Sequence, residues 1–108
     1  MLILKNIFMN LDKLTTQARN RLESAQIAAI DNHNTTVDPV HLLLALLESD
    51  DSIVPHILQK MNINVNEFII ATQNTLFKLL RTDSSVNATP SPELIEVLAE
   101  ADKVMKSL

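Results

Sequence analysis

The segment from Thr36 to Glu48 constrains the fold more than any other part of the chain. It reads Thr-Val-Asp-Pro-Val-His and then Leu42-Leu43-Leu44-Ala45-Leu46-Leu47-Glu48. Asp38 is a good helix cap, because its carboxylate can accept unpaired N–H groups of a first turn. Pro39 then falls at the first helical position, where its missing N–H costs nothing. Val40, Leu43, Leu44 and Leu47 make one apolar stripe, and Leu42 and Leu46 fill another. A helix that is apolar on nearly every side needs other helices around it. The expectation is an all-α bundle with this segment at its centre.

The rest of the chain supplies partners at helical spacing. Leu11, Leu14, Ala18, Leu22, Ala25 and Ala29 line one face of a first helix, from about Leu11 to about Ile30. Asp12, Arg19, Arg21 and Glu23 lie off that stripe and are expected in solvent. Asn32 to Thr36 is a polar connection in which Asn32 or Asn34 can adopt the left-handed conformation usually given to glycine. Ser49 to Ser52 forms the next loop. A short third helix spans roughly Ile53 to Met61, capped by Asp51 or Ser52, with Pro55 tolerated in its first turn and Asn62 ending it. Asn64 caps a fourth helix, with Glu67 at the capping-box spacing. Val65, Phe68, Ile69, Thr72, Leu76, Leu79 and Leu80 form its buried face, and Lys78 and Arg81 suit its negative pole. Thr82 to Pro90 is a polar linker. Ser91-Pro92 repeats the cap-and-proline device and opens a fifth helix with Leu94, Leu98, Ala101, Met105 and Leu108 on one stripe. Leu22-Glu23-Ser24-Ala25-Gln26 and Leu98-Ala99-Glu100-Ala101-Asp102 are faintly similar, as if a second repeat began at the fifth helix.

Composition narrows the chemistry. The 108 residues include no glycine and no cysteine. Without glycine there is no phosphate loop or dinucleotide fingerprint, and without cysteine no disulfide framework or thiolate metal site. Hydrophobic residues make up 46% of the chain but aromatics only 3%, so the core must be aliphatic. The net charge is −4 and the basic residues are scattered, which argues against nucleic acid as a partner. A helix-turn-helix reading of the second and third helices fails because the third offers only Lys60 as a phosphate contact, beside the acidic Asp50-Asp51. The segment Met1 to Phe8 is apolar but too short to span a membrane and reads as an appendage, with Met9 a plausible alternative start.

Catalytic and metal-binding patterns are lacking. His33, His41 and His56 have no acidic residues recurring around them at ligand spacing, so no metal site is expected. His41, three residues after Asp38, is placed to cap the helix and bond back to that residue. Ser, His and Asp occur without a nucleophile elbow. Asp50-Asp51 and the Glu93, Glu96 pair read as surface charge. No catalytic residue is assigned.

Three stretches carry a family resemblance. Leu11-Asp12-Lys13-Leu14-Thr15, Asp38-Pro39-Val40-His41-Leu42-Leu43-Leu44-Ala45-Leu46-Leu47, and Ser91-Pro92-Glu93-Leu94 through Lys103 resemble the N-terminal repeat domain of the Clp family of AAA+ unfoldases. Within that family they look most like ClpB-type disaggregases. The resemblance implies a Clp repeat bundle with an appendage at 1–9, a first four-helix repeat at 10–81, a linker at 82–90, and the first helix of an incomplete second repeat at 91–108. It also implies a non-catalytic, cytoplasmic module without a cofactor of its own, ATP and magnesium belonging to the ATPase ring of a homohexameric parent. The implied partners are exposed apolar segments of unfolded or aggregated polypeptides. An adaptor protein, as in ClpA- and ClpC-type unfoldases, is the alternative; neither nucleic acid nor membrane is implied. Thr15 matches a substrate-contacting threonine of the family, whose acidic partners there belong to a stretch that would follow the fifth helix. The apolar face of that helix is expected to pack back on the first repeat or to pair with another copy.

Overall fold

A computed structural model of the chain describes residues 16–49, 52–82 and 87–107. Five helices and two short strands follow in order: α1 (Thr16–Asp31), β1 (Thr36–Val37), α2 (Pro39–Glu48), α3 (Val54–Lys60), α4 (Val65–Phe77), β2 (Thr89–Pro90) and α5 (Pro92–Ser107). Helix α2 is the hub. It packs broadly on α1 and α4 and more thinly on α3 and α5. No residue from Pro39 to Leu47 is exposed, and His41, Leu44 and Leu47 are buried. An all-round apolar helix is thus enclosed as its composition demands.

The stripe on α1 is realised through Leu22, Ala25 and Ala29, all buried. Leu11 and Leu14 lie outside the described residues. Ala25 and Ala29 join Val37, Ala88 and Leu94 in one apolar cluster, against which Ile30, Leu42 and Leu98 pack. The small α1 side chains let the start of α5 come close.

Several ends are built as their sequences imply. The Asn64 side chain accepts the Glu67 N–H at 3.1 Å, and the Ser91 hydroxyl accepts the Leu94 N–H at 3.1 Å. At α3 the expected cap is displaced by one residue: Ile53 is the N-cap and carries no capping side chain, while Ser52 before it accepts the Val54 N–H at 3.2 Å. Asn62, at φ 62, closes α3 in a Schellman arrangement, with Ile63 N–H bonded to Leu58 O and Asn62 N–H to Gln59 O, both at 3.0 Å.

Other details depart from the sequence expectation. The left-handed residue after α1 is His33, at φ 58, rather than Asn32 or Asn34. His33 N–H bonds to Ile30 O at 3.0 Å and Asn34 N–H to Ala29 O at 2.9 Å, again a Schellman closure. The neighbouring asparagines are committed elsewhere by their side chains, which leaves the exposed His33 to take the strained position. Helix α4 stops at Phe77, so Leu80 is exposed instead of lying on the buried face. Its last turn tightens through Lys78 N–H to Thr75 O and Leu79 N–H to Leu76 O, both 3.1 Å. Asn32 and Asn34 then supply donors to Leu76 O at 3.4 Å and Leu80 O at 3.0 Å. Distant side chains satisfy these end carbonyls, where one more helical turn would have done so. Arg81 accordingly does not cap α4; its Nε donates to Asn32 O at 3.1 Å.

The strands are a further addition. Thr36 pairs with Thr89 and Val37 with Pro90 in a parallel register. The two cap-and-proline devices, Asp38-Pro39 and Ser91-Pro92, therefore leave the pair side by side. The stretch 82–90 thus ends in a structured element, and Ala88 within it is fully buried.

Candidate functional site

Two regions stand apart from simple packing. The first is a buried polar cluster where the α1–α2 connection meets the end of α4. His41 is 0% and Asn34 2% exposed. The Asp38 backbone N–H donates to Nδ1 of His41 at 2.8 Å, so His41 does bond back to the cap. Nδ1 is therefore the unprotonated nitrogen. Nε2 carries the proton and donates to Oδ1 of Asn34 at 2.9 Å, the oxygen that also accepts Nδ2 of Asn32 at 2.9 Å. Burial holds the His41 pKa below its ordinary value, against the opposing pull of the nearby Asp38 carboxylate. The Thr36 hydroxyl donates to that carboxylate at 3.2 Å. Both ring nitrogens are engaged and the ring is fully buried, so His41 is held firmly in position.

The second region is apolar and open. Helix α3 has no buried residue. Ile53 at its N-cap, Ile57 within it and Met61 at its C-cap recur at steps of four, at 66%, 45% and 62% exposure, and so share one face. Ile53 also borders a cavity of about 250 Å³ lined by Gln17, Ala18, Arg21, Leu46, Ser52 and Val54. That is smaller than the roughly 300–1,000 Å³ of pockets that enclose a small molecule. On α4, Ile70 and Phe77 are likewise exposed. Arg21, expected in solvent, is half-buried at the cavity wall, and Arg19 is half-buried as well.

Thr15 lies outside the described residues. Gln17 and Ala18, which follow it closely in sequence, belong to the cavity lining. His33 and His56 are exposed and are not drawn toward His41. Among the described residues no three His, Asp or Glu side chains are grouped as a metal site, and no helix is long and apolar enough to cross a membrane. Sequence reasoning placed His41 at the cap but missed its complete burial. The Asn-x-Asn spacing before a capped helix was the available signal. It missed the cavity altogether, because the lining comes from three separate helices and the α2–α3 loop.

Comparison with known proteins places this arrangement. Residues 13–108 match the profile of the Clp repeat (R) N-terminal domain. The ClpB chaperone of Clostridium tetani is 33% identical over 99 residues, covering 86% of this chain and 11% of that protein. The ClpB chaperone of Rhodopirellula baltica is 33% identical over 98 residues, covering 91% and 11%. The chain thus spans about a tenth of the length of these relatives. Among solved structures, the N-domain of ClpV from Vibrio cholerae superposes with a TM-score of 0.79 at 26% identity, covering 93% of this chain and 59% of that one. A complex of the ClpV N-domain with a VipB peptide superposes with a TM-score of 0.75 at 26% identity, covering 95% and 60%.

Proposed function

The chain belongs to the Clp repeat N-terminal domain family, and we propose that it serves as the substrate-engaging module of a ClpB-type chaperone, binding exposed apolar segments of unfolded or aggregated polypeptides. The observation that carries this reading is the exposed Ile53, Ile57, Met61 face beside the cavity at Leu46 and Val54. Open apolar surface of this kind is what an extended, sequence-varied ligand requires. Flexible aliphatic side chains repack around different partners at little cost. Thr15, the threonine singled out by the family resemblance, is proposed as a further polar contact to the substrate. The parent would be a cytoplasmic homohexameric AAA+ ATPase that supplies the nucleotide chemistry. This chain, without glycine, offers no phosphate loop for it.

The test is titration of a fluorescent, permanently unfolded polypeptide with the native chain and with I57E. Affinity should fall severalfold in I57E while thermal stability stays unchanged, because Ile57 is exposed. Equal affinity in both proteins would overturn the reading.

A second reading is adaptor docking, favoured by the ClpV N-domain solved with a VipB peptide. It calls for one tight-binding sequence, whereas the first reading calls for many weak ones. A peptide array separates the two.

A further inference from the structure

One hydrogen-bonded chain runs through the middle of the molecule. The Ser91 N–H, at the head of α5, donates to Val37 O at 3.0 Å. The same peptide group carries the Asp38 N–H, which donates to Nδ1 of His41 at 2.8 Å. Nε2–H of His41 donates to Oδ1 of Asn34 at 2.9 Å, and Nδ2 of Asn34 donates to Leu80 O at 3.0 Å. All four bonds point the same way, so each polarises the next and strengthens it. The chain joins the docking point of α5 to the exit of α4, and an imidazole is its middle link.

We propose that His41 is an acid-sensitive latch whose protonation loosens the head of α5 on β1 and the segment that leaves α4. The proton comes from solvent and must go to Nδ1, the only ring nitrogen without one. Once there it confronts the Asp38 N–H, leaving two donors face to face and no acceptor between them. The imidazole has to rotate, and either rotation gives up the Asn34 contact or the Asp38 contact. The Val37–Asp38 peptide then loses its anchor while it still carries the bond to Ser91. The head of α5 is also held by the Thr89 N–H bond to Thr35 O at 3.3 Å and by the buried Leu94, so the lost anchor loosens this end while the rest of α5, mostly exposed beyond Leu98, adds little to hold it.

The electrostatic setting leaves the ring as the responsive element. Asp38 is the ionised group that acts on it. Asp31 at the end of α1, His33 after it, Glu48 at the end of α2, His56 and Lys60 of α3, Glu67 of α4, Lys78 and Arg81 after α4, and Glu93 of α5 are all at exposed positions. Arg19 and Arg21 lie about three turns away along α1, with Arg21 at the opposite end of α2 beside Leu46.

The experiment is nitrogen NMR of the imidazoles together with amide hydrogen exchange of the 108-residue chain from pH 7.5 to pH 5. At pH 7.5 His41 should show the Nε2–H tautomer. Below about pH 6.5, the ordinary histidine value, the opening constants of the Asp38, Ser91 and Thr82 amides should rise up to about tenfold per pH unit, after correction for intrinsic exchange. Those of Leu22 to Ala29 in the buried face of α1 should stay smaller throughout and change only as far as global stability does. A variant, H41Q, keeps an acceptor for the cap N–H, as glutamine does at this capping-box position, but takes no proton. Its Ser91 amide should be insensitive over the same range. An Nδ1–H tautomer, or Ser91 protection in the native chain that does not change with pH, overturns the proposal. So does an H41Q variant that keeps the native pH response. The first two readings use the native chain alone and decide the matter whether or not H41Q folds.

Discussion

Leu94→Ala asks whether α5 is an integral part of the bundle. Leu94 is 0% exposed and sits among Ala25, Ala29, Val37 and Ala88. Truncating a buried leucine costs about 2–5 kcal/mol, the larger values where the surroundings cannot collapse into the space. Three of these four neighbours are alanines, whose side chains cannot swing inward. An estimate of about 3–4 kcal/mol follows, a large fraction of the roughly 5–15 kcal/mol that holds a domain together. Urea titration followed by circular dichroism is the assay. With a slope of about 1–3 kcal/mol per molar, the midpoint should drop by at least about 1 M. The control is Val104→Ala on the same helix, where the side chain is 52% exposed and the expected change is within about 0.5 kcal/mol. If Leu94→Ala moves the midpoint no more than Val104→Ala does, α5 does not unfold with the rest, and the single cluster described above is not a single core.

Three further outcomes follow from the same geometry. Replacing His33 by glycine should raise stability by about 0.5–1 kcal/mol in thermal unfolding, because His33 is exposed and glycine removes the cost of a left-handed backbone. Asn34→Ala should cost about 2–3 kcal/mol in chemical denaturation, since it strands the His41 Nε2–H and the Leu80 carbonyl without partners. Stability should also depend on pH through His41. Its folded pKa is lowered, so the unfolded chain takes up the proton first. The contribution is complete above about pH 6.5 and is lost as pH falls toward the folded value, at no more than about 1.4 kcal/mol per pH unit. Denaturation midpoints measured between pH 7.5 and pH 5 check that slope.

The chain by itself determined the features that depend on near neighbours. Asp38-Pro39, Asn64 with Glu67, and Ser91-Pro92 each begin a helix because the cap and its hydrogen-bond partner lie within one turn. The apolar run of α2 required enclosure whatever enclosed it. The tertiary structure decided wherever a distant group competed for a backbone or side-chain partner. Asn32 and Asn34 look in sequence like helix terminators. In the fold their side chains end α4 instead, more than forty residues on, and His33 is left with the positive φ. His41 looks like a surface cap residue, yet it becomes the buried link between α4 and α5 because Asn34 reaches its far nitrogen. Thr36–Val37 and Thr89–Pro90 carry no strand signal and pair only because both helix heads dock on the small residues of α1. Local hydrogen bonds are fixed by spacing along the chain. Bonds between distant groups form only after apolar burial has brought those groups together, so their outcome is settled by the packed bundle.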